Sequence, residues 1–156
     1  MALLVGAPAP TFTLPGWHRS SEGSFTLTQT PDNPVVLAFY PGDERLVCTK
    51  QMCSYSDNLG ELERFDADVW GIAPQSVESH RQFADGRSLQ LPLLADEDRA
   101  VASKYGVVGA FGLRRSVFVI GTDGRIAWRW VSATNITFPG VPEIVAALVQ
   151  ASQVTP

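Results

Sequence analysis

Residues 35–65 read VVLAFYPGDERLVCTKQMCSYSDNLGELERF, and this stretch decides the fold. The first six residues are apolar and end at Pro41-Gly42, which predicts a central β-strand covered on both faces. The polar part that follows carries apolar residues at helical spacing, so it predicts one long helix from near Cys48 to Phe65. A strand that runs directly into a helix is the building unit of an α/β protein.

The same order of strand and helix repeats further along the chain. Residues 69–73 predict a second buried strand, and Ser76 can cap a helix that ends at Asp85-Gly86. Short alternating segments near the start predict an edge strand or hairpin. The remaining patterns predict strands at 91–95, 117–120 and 125–131, a short helix at 98–105 and an amphipathic closing helix from Val141. Together they predict an α/β, thioredoxin-like fold, in which helices flank both faces of a central mixed β-sheet.

Length and composition restrict the classes of protein that fit. At 156 residues with 45% hydrophobic residues, the chain predicts a single domain over residues 1–156. A net charge of -4 leaves no basic excess to neutralise a phosphate backbone, so no nucleic-acid partner is expected. The chain has no signal-peptide pattern and no apolar run near the roughly 20 residues that span a bilayer. The expectation is a cytoplasmic protein with no membrane partner.

The two cysteines, Cys48 and Cys53, are the chemically informative residues. In an intracellular chain of this size, such cysteines are either buried and inert or redox-active. Neither they nor His18 and His80 show the paired spacing of a zinc site, so no metal is predicted. Spacing alone leaves both alternatives open, but the residues around Cys48 are polar or charged and would make poor walls for a core pocket.

Cys48 is predicted at the N-terminus of a helix and close to Arg45. This is the setting in which a cysteine becomes a nucleophile. Cys53 lies five residues further on, and an intact helix would place the two Cα atoms roughly 8.6 Å apart. A disulfide needs Cα atoms within about 7 Å of each other. If the two cysteines bond, the first turns of the helix must therefore unwind.

Several motifs follow one another in the order of a known family. They lie at residues 6–14, 39–41, 47–50, 71–72, 79–80, 91–96, 105–107, 115–120 and 123–124. On these motifs, the chain resembles the peroxiredoxins, specifically the Q type, also called bacterioferritin comigratory protein. The resemblance extends over nearly the whole chain.

The resemblance implies a peroxidase that acts on hydrogen peroxide and organic hydroperoxides without a cofactor. Cys48 would be oxidised to a sulfenic acid, and Cys53 would resolve it as a disulfide. Thioredoxin or a similar dithiol would then restore both thiols. Pro41 would shield the sulfur, and Arg115 would stabilise the thiolate and polarise the peroxide. The family also implies a monomeric or weakly associating protein, and a monomer is the expectation here.

Three residues depart from the family pattern. Arg45 replaces a threonine or serine that bonds the peroxide, Gln51 replaces an acidic residue, and Val117 replaces a threonine. A guanidinium can hold a peroxide oxygen but cannot relay a proton, because it has donors and no acceptor. Arg45 and Thr49, on either side of Cys48, are the predicted substrate-binding residues.

Two alternatives of other classes remain. The first is a peroxide-sensing or scaffold domain with weak or no turnover, in which Cys48 and Cys53 form a slow disulfide, and Arg45 is its best support. The second is a disulfide oxidoreductase acting on protein thiols, although such enzymes usually carry C-x-x-C. The kinetics of peroxide consumption distinguish these alternatives from a peroxidase.

Overall fold

A seven-stranded mixed β-sheet forms the centre of the computed structural model, which describes residues 2–110 and 112–153. In chain order the strands of this sheet are β1 (Phe12–His18), β2 (Ser21–Leu27), β3 (Val35–Phe39), β4 (Asp68–Ala73), β5 (Leu93–Ala95), β8 (Ser116–Ile120) and β9 (Ile126–Val131). Across the sheet their order is β2-β1-β5-β4-β3-β8-β9. A separate small hairpin joins β6 (Val108–Gly109) to β7 (Gly112–Leu113).

Strand β3 lies inside the sheet and is buried along its whole length. It pairs in parallel with β4 and antiparallel with β8. Because side chains alternate across a strand, Val36 and Ala38 enter one core cluster while Leu37 and Phe39 enter the other. The sheet therefore has a buried core on each face, as the continuous apolar run predicts.

The helices cover the two faces unequally. The first cluster contains side chains of α1 (Leu46–Asp57), α2 (Leu59–Glu63), α3 (Val77–Arg87) and α5 (Val141–Gln153). The second contains side chains of α4 (Ala100–Lys104), together with residues from the N-terminal segment. The prediction of a mixed sheet with helices on both faces is confirmed. No helix within residues 2–110 and 112–153 has the length and apolar character needed to cross a membrane.

The prediction of one long helix from Cys48 to Phe65 is wrong. The helix begins at Leu46, and the segment divides into α1 and α2 at Asn58. Asn58 leaves helical geometry at φ -112° and ψ 19°, and its side-chain Nδ2 donates to the Ser54 carbonyl oxygen at 2.8 Å. A short polar side chain that bonds to nearby backbone competes with the helix, which explains the break.

Elsewhere the differences concern element ends. The N-terminal hairpin is confirmed, but β1 extends to His18, through the Pro15-Gly16 pair that the pattern places outside the strand. Helix α3 continues past Gly86 to Arg87 and ends at Ser88, which has a left-handed backbone. The cap predicted at Ser76 is present, since its side chain accepts from the Ser79 amide at 3.1 Å.

The β8–β9 turn yields a stability prediction at Gly124. This residue has φ +78°, and a Cβ there would lie 1.9 Å from the Gln29 carbonyl oxygen. We expect Gly124→Ala to lower the free energy of unfolding, measured by urea titration, by roughly 1–3 kcal/mol. Gly60→Ala is the matched control, because Gly60 has open space around its Cβ position within helix α2. Equal effects of the two substitutions would contradict this account of the turn.

Candidate active site

Cys48 is the third residue of helix α1 and is fully buried. The preceding loop continues from strand β3, so the sheet fixes where this helix begins. Arg45 occupies the N-cap position with an extended backbone, and its side chain makes no capping hydrogen bond. The sulfur thus lies in the first turn of a helix, near backbone amides that have no partner within the helix.

Arg115 approaches the sulfur from the start of strand β8. Its Nη2 donates to Cys48 Sγ at 3.1 Å, and its Nη1 donates to Gln51 Oε1 at 2.5 Å. Its Nε donates to the Asn135 carbonyl oxygen at 3.2 Å. The guanidinium therefore has a hydrogen-bond partner at each of its three nitrogens.

The charge of Arg115 is buried, with a relative exposure of 2%. Buried charges in proteins are normally paired. Within the described residues, no carboxylate forms an ion pair with Arg115, and its contacts are a sulfur, an amide and a carbonyl. Cys48 is the contacting side chain that can become an anion. The burial of Cys48 is what a buried, inert cysteine would show. The guanidinium that donates to its sulfur favours the redox-active alternative instead.

The loop after strand β9 holds Arg115 in place. Asn135 Oδ1 accepts from the Arg115 amide at 2.8 Å, and the Ser132 amide donates to the Arg115 carbonyl oxygen at 2.8 Å. Asn135 has φ +63°, a left-handed conformation that asparagine tolerates better than most residues. Sequence reasoning missed Asn135. The sequence signal that could have indicated Asn135 was the mostly polar segment 132–135, which directly follows the last strand.

Gln51 is the second residue at this site that sequence reasoning did not place. It is fully buried on the same helix as Cys48, and its Nε2 donates to Tyr55 Oη at 3.3 Å. Tyr55 Oη donates in turn to the Pro139 carbonyl oxygen at 2.7 Å. Burial raises the pKa of Tyr55, so this hydroxyl stays protonated as the bond requires. The three-residue spacing from Cys48 could have indicated the shared helix face.

A cavity of about 320 Å³ opens beside this cluster. Its walls include Pro41, Arg45 and Arg115, so the structure brings three of the predicted site residues together. Cys48 and Thr49 do not line it. The Thr49 side-chain oxygen is buried and has no hydrogen-bond partner among the described residues.

Cys53 lies on helix α1 as predicted, and neither cysteine is bonded. It is partly buried, and burial raises the pKa of its thiol, with the negative charge of Asp57 adding to the effect. Cys53 therefore remains a thiol at neutral pH while the helix is intact. No group of three or more His, Cys, Asp or Glu side chains within the described residues could hold a metal ion.

Asp43 anchors the loop that leads to Cys48. Its Oδ1 accepts from Tyr40 Oη at 2.7 Å, and its Oδ2 accepts from Ser79 Oγ at 2.7 Å. His80 Nε2 lies 2.9 Å from the Leu94 carbonyl oxygen, which can only accept, so Nε2 carries a hydrogen. His80 Nδ1 lies 2.7 Å from Asp43 Oδ2, so a further proton lies between these two atoms. This buried network ties the loop to helix α3.

Comparison with known proteins gives consistent matches. The model of the AhpC/TSA family matches residues 5–129. The bcp protein of Coxiella burnetii, which carries a peroxiredoxin name, is 34% identical over 139 residues, covering 83% of this chain and 89% of that protein. Chloroplastic peroxiredoxin Q of Sedum lineare is 39% identical over 125 residues, covering 78% of this chain and 65% of that protein. The solved structure of peroxidoxin BcpB from Mycobacterium tuberculosis has a TM-score of 0.79 and 29% sequence identity, covering 97% of this chain and 98% of that one.

The Asp43 network predicts a large loss of stability for Asp43→Ala. Removing the carboxylate takes a hydrogen-bond partner from the buried Tyr40 and His80 and from the half-buried Ser79. Breaking a buried pair from one side costs about 3–5 kcal/mol, which urea unfolding would measure. Asp32→Ala is the control, because Asp32 is exposed and should change the free energy of unfolding by about 0.5 kcal/mol or less. A loss below about 1 kcal/mol for Asp43→Ala would contradict the anchoring role.

Proposed function

The chain belongs to the AhpC/TSA family, and on this premise we propose that Cys48 is its peroxidatic cysteine and Cys53 its resolving cysteine. Membership confirms the resemblance to the Q-type peroxiredoxins and the thioredoxin-like fold. The protein is accordingly a thiol-dependent peroxidase. The roles of individual residues, the disulfide and the reductant are the content of the proposal.

The contact between Arg115 and Cys48 carries the proposal. Its 3.1 Å hydrogen bond supplies the sulfur with both a donor and a positive charge. These are the interactions that stabilise a thiolate, the reactive form of cysteine. Cys53 has no such contact among the described residues, and its pKa is raised. The two cysteines are therefore suited to different steps.

In the first step the Cys48 thiolate attacks the terminal oxygen of the hydroperoxide. A sulfur–oxygen bond forms, the oxygen–oxygen bond breaks, and the leaving alkoxide takes up a proton to become an alcohol, or water from hydrogen peroxide. The sulfur is oxidised to a sulfenic acid while the peroxide is reduced. In our proposal Arg115 stabilises the negative charge that moves from sulfur to oxygen, because its Nη2 already donates to the sulfur.

Pro41, Arg45 and Thr49 support this step in our proposal. Pro41 lines the cavity and shields the reaction from water, while Arg45, on the wall of the same cavity, binds the substrate. The hydroxyl of Thr49 is buried, has no hydrogen-bond partner within residues 2–110 and 112–153, and is next in sequence to Cys48, so it is available to bond an oxygen held at the sulfur. Such an orphaned group costs free energy unless a partner arrives during the reaction.

In the second step the Cys53 thiol attacks the sulfenic acid, forming a disulfide and releasing water. Both cysteines lie on helix α1, where ideal geometry places their Cα atoms roughly 8.6 Å apart. Unwinding brings the sulfurs together and also exposes Cys53, which removes the burial that raises its pKa. Unwinding of helix α1 thus both brings the two sulfurs together and makes the Cys53 thiol more reactive.

Reduction of the disulfide completes the cycle. We propose that thioredoxin or a similar dithiol attacks Cys53, which is the more exposed of the two cysteines. In this proposal the enzyme acts as a monomer in the cytoplasm and needs no cofactor.

Cysteine variants test the assignment of the two roles. We expect Cys48→Ser to abolish reduction of hydrogen peroxide and cumene hydroperoxide with a thioredoxin system. Cys53→Ser should still consume one equivalent of peroxide per chain and accumulate a sulfenic acid that dimedone traps, because Cys48 retains Arg115. Mass spectrometry after a single addition of peroxide would measure both products.

Two outcomes would contradict these roles. Trapping of the sulfenic acid at Cys53 would reverse the assignment. Disulfide formation in the unaltered protein without sustained turnover would favour the peroxide-sensing alternative, and Arg45→Thr would then test whether Arg45 is the cause.

The unwinding step predicts a change in backbone protection. Hydrogen exchange of the amides of residues 47–57 should accelerate after one equivalent of peroxide, because the disulfide cannot form on the intact helix. The Cys53→Ser protein treated in the same way is the control and should keep its protection. If the amides of helix α1 exchange as slowly in the disulfide-bonded protein as in the reduced protein, this prediction is contradicted.

A further inference from the structure

The cavity beside Cys48 is strongly cationic. Arg45, Arg99 and Arg115 lie on its walls, and no Asp or Glu lines it among the described residues. Arg115 is occupied by its three hydrogen bonds inside the protein. Arg45 and Arg99 are exposed and form no ion pair with any described carboxylate. Two guanidinium groups are therefore free at the rim of the cavity, in a chain whose net charge is -4.

Arg45 is held over the loop rather than extended into solvent. A Cβ at the buried Gly42 would lie 2.9 Å from Arg45 Nε and 3.5 Å from its Cδ. The absence of a side chain at Gly42 leaves the space that the Arg45 side chain occupies. This packing keeps the Arg45 guanidinium next to Pro41 and at the cavity mouth.

Helix α1 adds positive potential to the same wall. Its first two residues, Leu46 and Val47, line the cavity. The helix start has no side-chain cap and no acidic residue in its first turn, so its positive end is not neutralised by the protein. An anion in the cavity would meet this end of the dipole as well as the two free guanidiniums.

The cavity also offers apolar surface between the charges. Pro41 and Leu113 lie on its wall, and Leu46 is 71% exposed at its edge. A volume of about 320 Å³ accommodates a small organic molecule rather than hydrogen peroxide alone. The matching ligand has an apolar body and a negative group directed away from its hydroperoxide.

We propose that Arg45 and Arg99 select organic hydroperoxides that bear a carboxylate over neutral hydroperoxides of the same shape. This inference rests on the proposed function, because the hydroperoxide must point toward Arg115 and Cys48 while the carboxylate binds at the rim. The carboxylate is unchanged by the reaction, and the hydroperoxide becomes an alcohol as Cys48 becomes a sulfenic acid. Arg45 and Arg99 act as specificity-determining residues.

A matched pair of substrates tests the selection. Cumene hydroperoxide is neutral, and 4-(2-hydroperoxypropan-2-yl)benzoate adds a carboxylate at the far side of the same ring. We expect the ratio of kcat/KM for the anionic over the neutral peroxide to be roughly tenfold in the unaltered protein, since paired guanidinium contacts at a partly exposed site supply about this factor. The ratio should fall to about one in the Arg45→Gln, Arg99→Gln double variant.

Arg64→Gln is the control for overall charge. Arg64 is exposed, does not line the cavity and forms no ion pair with a described residue, so its loss should leave the ratio unchanged. A ratio near one in the unaltered protein, or a ratio that survives in the double variant, would overturn the selection while cumene hydroperoxide turnover still supports the peroxidase. Equal turnover of both peroxides by Cys48→Ser would instead overturn the proposed catalytic cysteine and the selection with it.

Discussion

The buried guanidinium of Arg115 is the constraint on which the site depends. A cation with 2% relative exposure needs a compensating partner, and the groups it contacts are Cys48, Gln51 and the Asn135 carbonyl. Gln51 and Asn135 satisfy its hydrogen bonds without neutralising its charge. That arrangement leaves Cys48 as the contacting side chain that can carry a compensating negative charge. An acid at position 51 would compete with the sulfur for the same charge, whereas the amide found there does not.

The sheet brings the parts of this site together. Arg115 directly precedes strand β8, which pairs with β3, and the end of β3 leads to the Cys48 loop. In that register Phe39 lies opposite Ser116, so the residues that follow β3 and those that precede β8 meet at one edge. Strand β9 pairs on the other side of β8 and continues to Asn135. Three segments that are distant in sequence thus converge because neighbouring strands end at the same edge.

The sequence indicated three candidate residues that the structure brings together, but not the residues that hold them in place. Cys48, Arg115 and Pro41 follow from motifs that are local in the chain. Asn135 and Gln51 act through contacts with Arg115, and the Asn135 contact depends on strand pairing that no short pattern encodes. The break at Asn58 was missed because helical spacing of apolar residues continues across it, while a single side-chain hydrogen bond to Ser54 ends the helix. A local hydrogen bond of small free energy therefore sets the end of helix α1, which the spacing of apolar residues does not reveal.

In the proposed reaction, helix α1 holds Cys48 beside Arg115 but also keeps it apart from Cys53, so the two proposed steps need opposite states of this helix. Its two ends differ in how firmly they are held. The C-terminal end is fixed by the Asn58 side chain, whereas the N-terminal end has no side-chain cap, no acidic residue in its first turn and an exposed Leu46. Uncapped helix ends open most readily. In the proposed second step, we therefore expect opening to begin at the turn that contains Cys48.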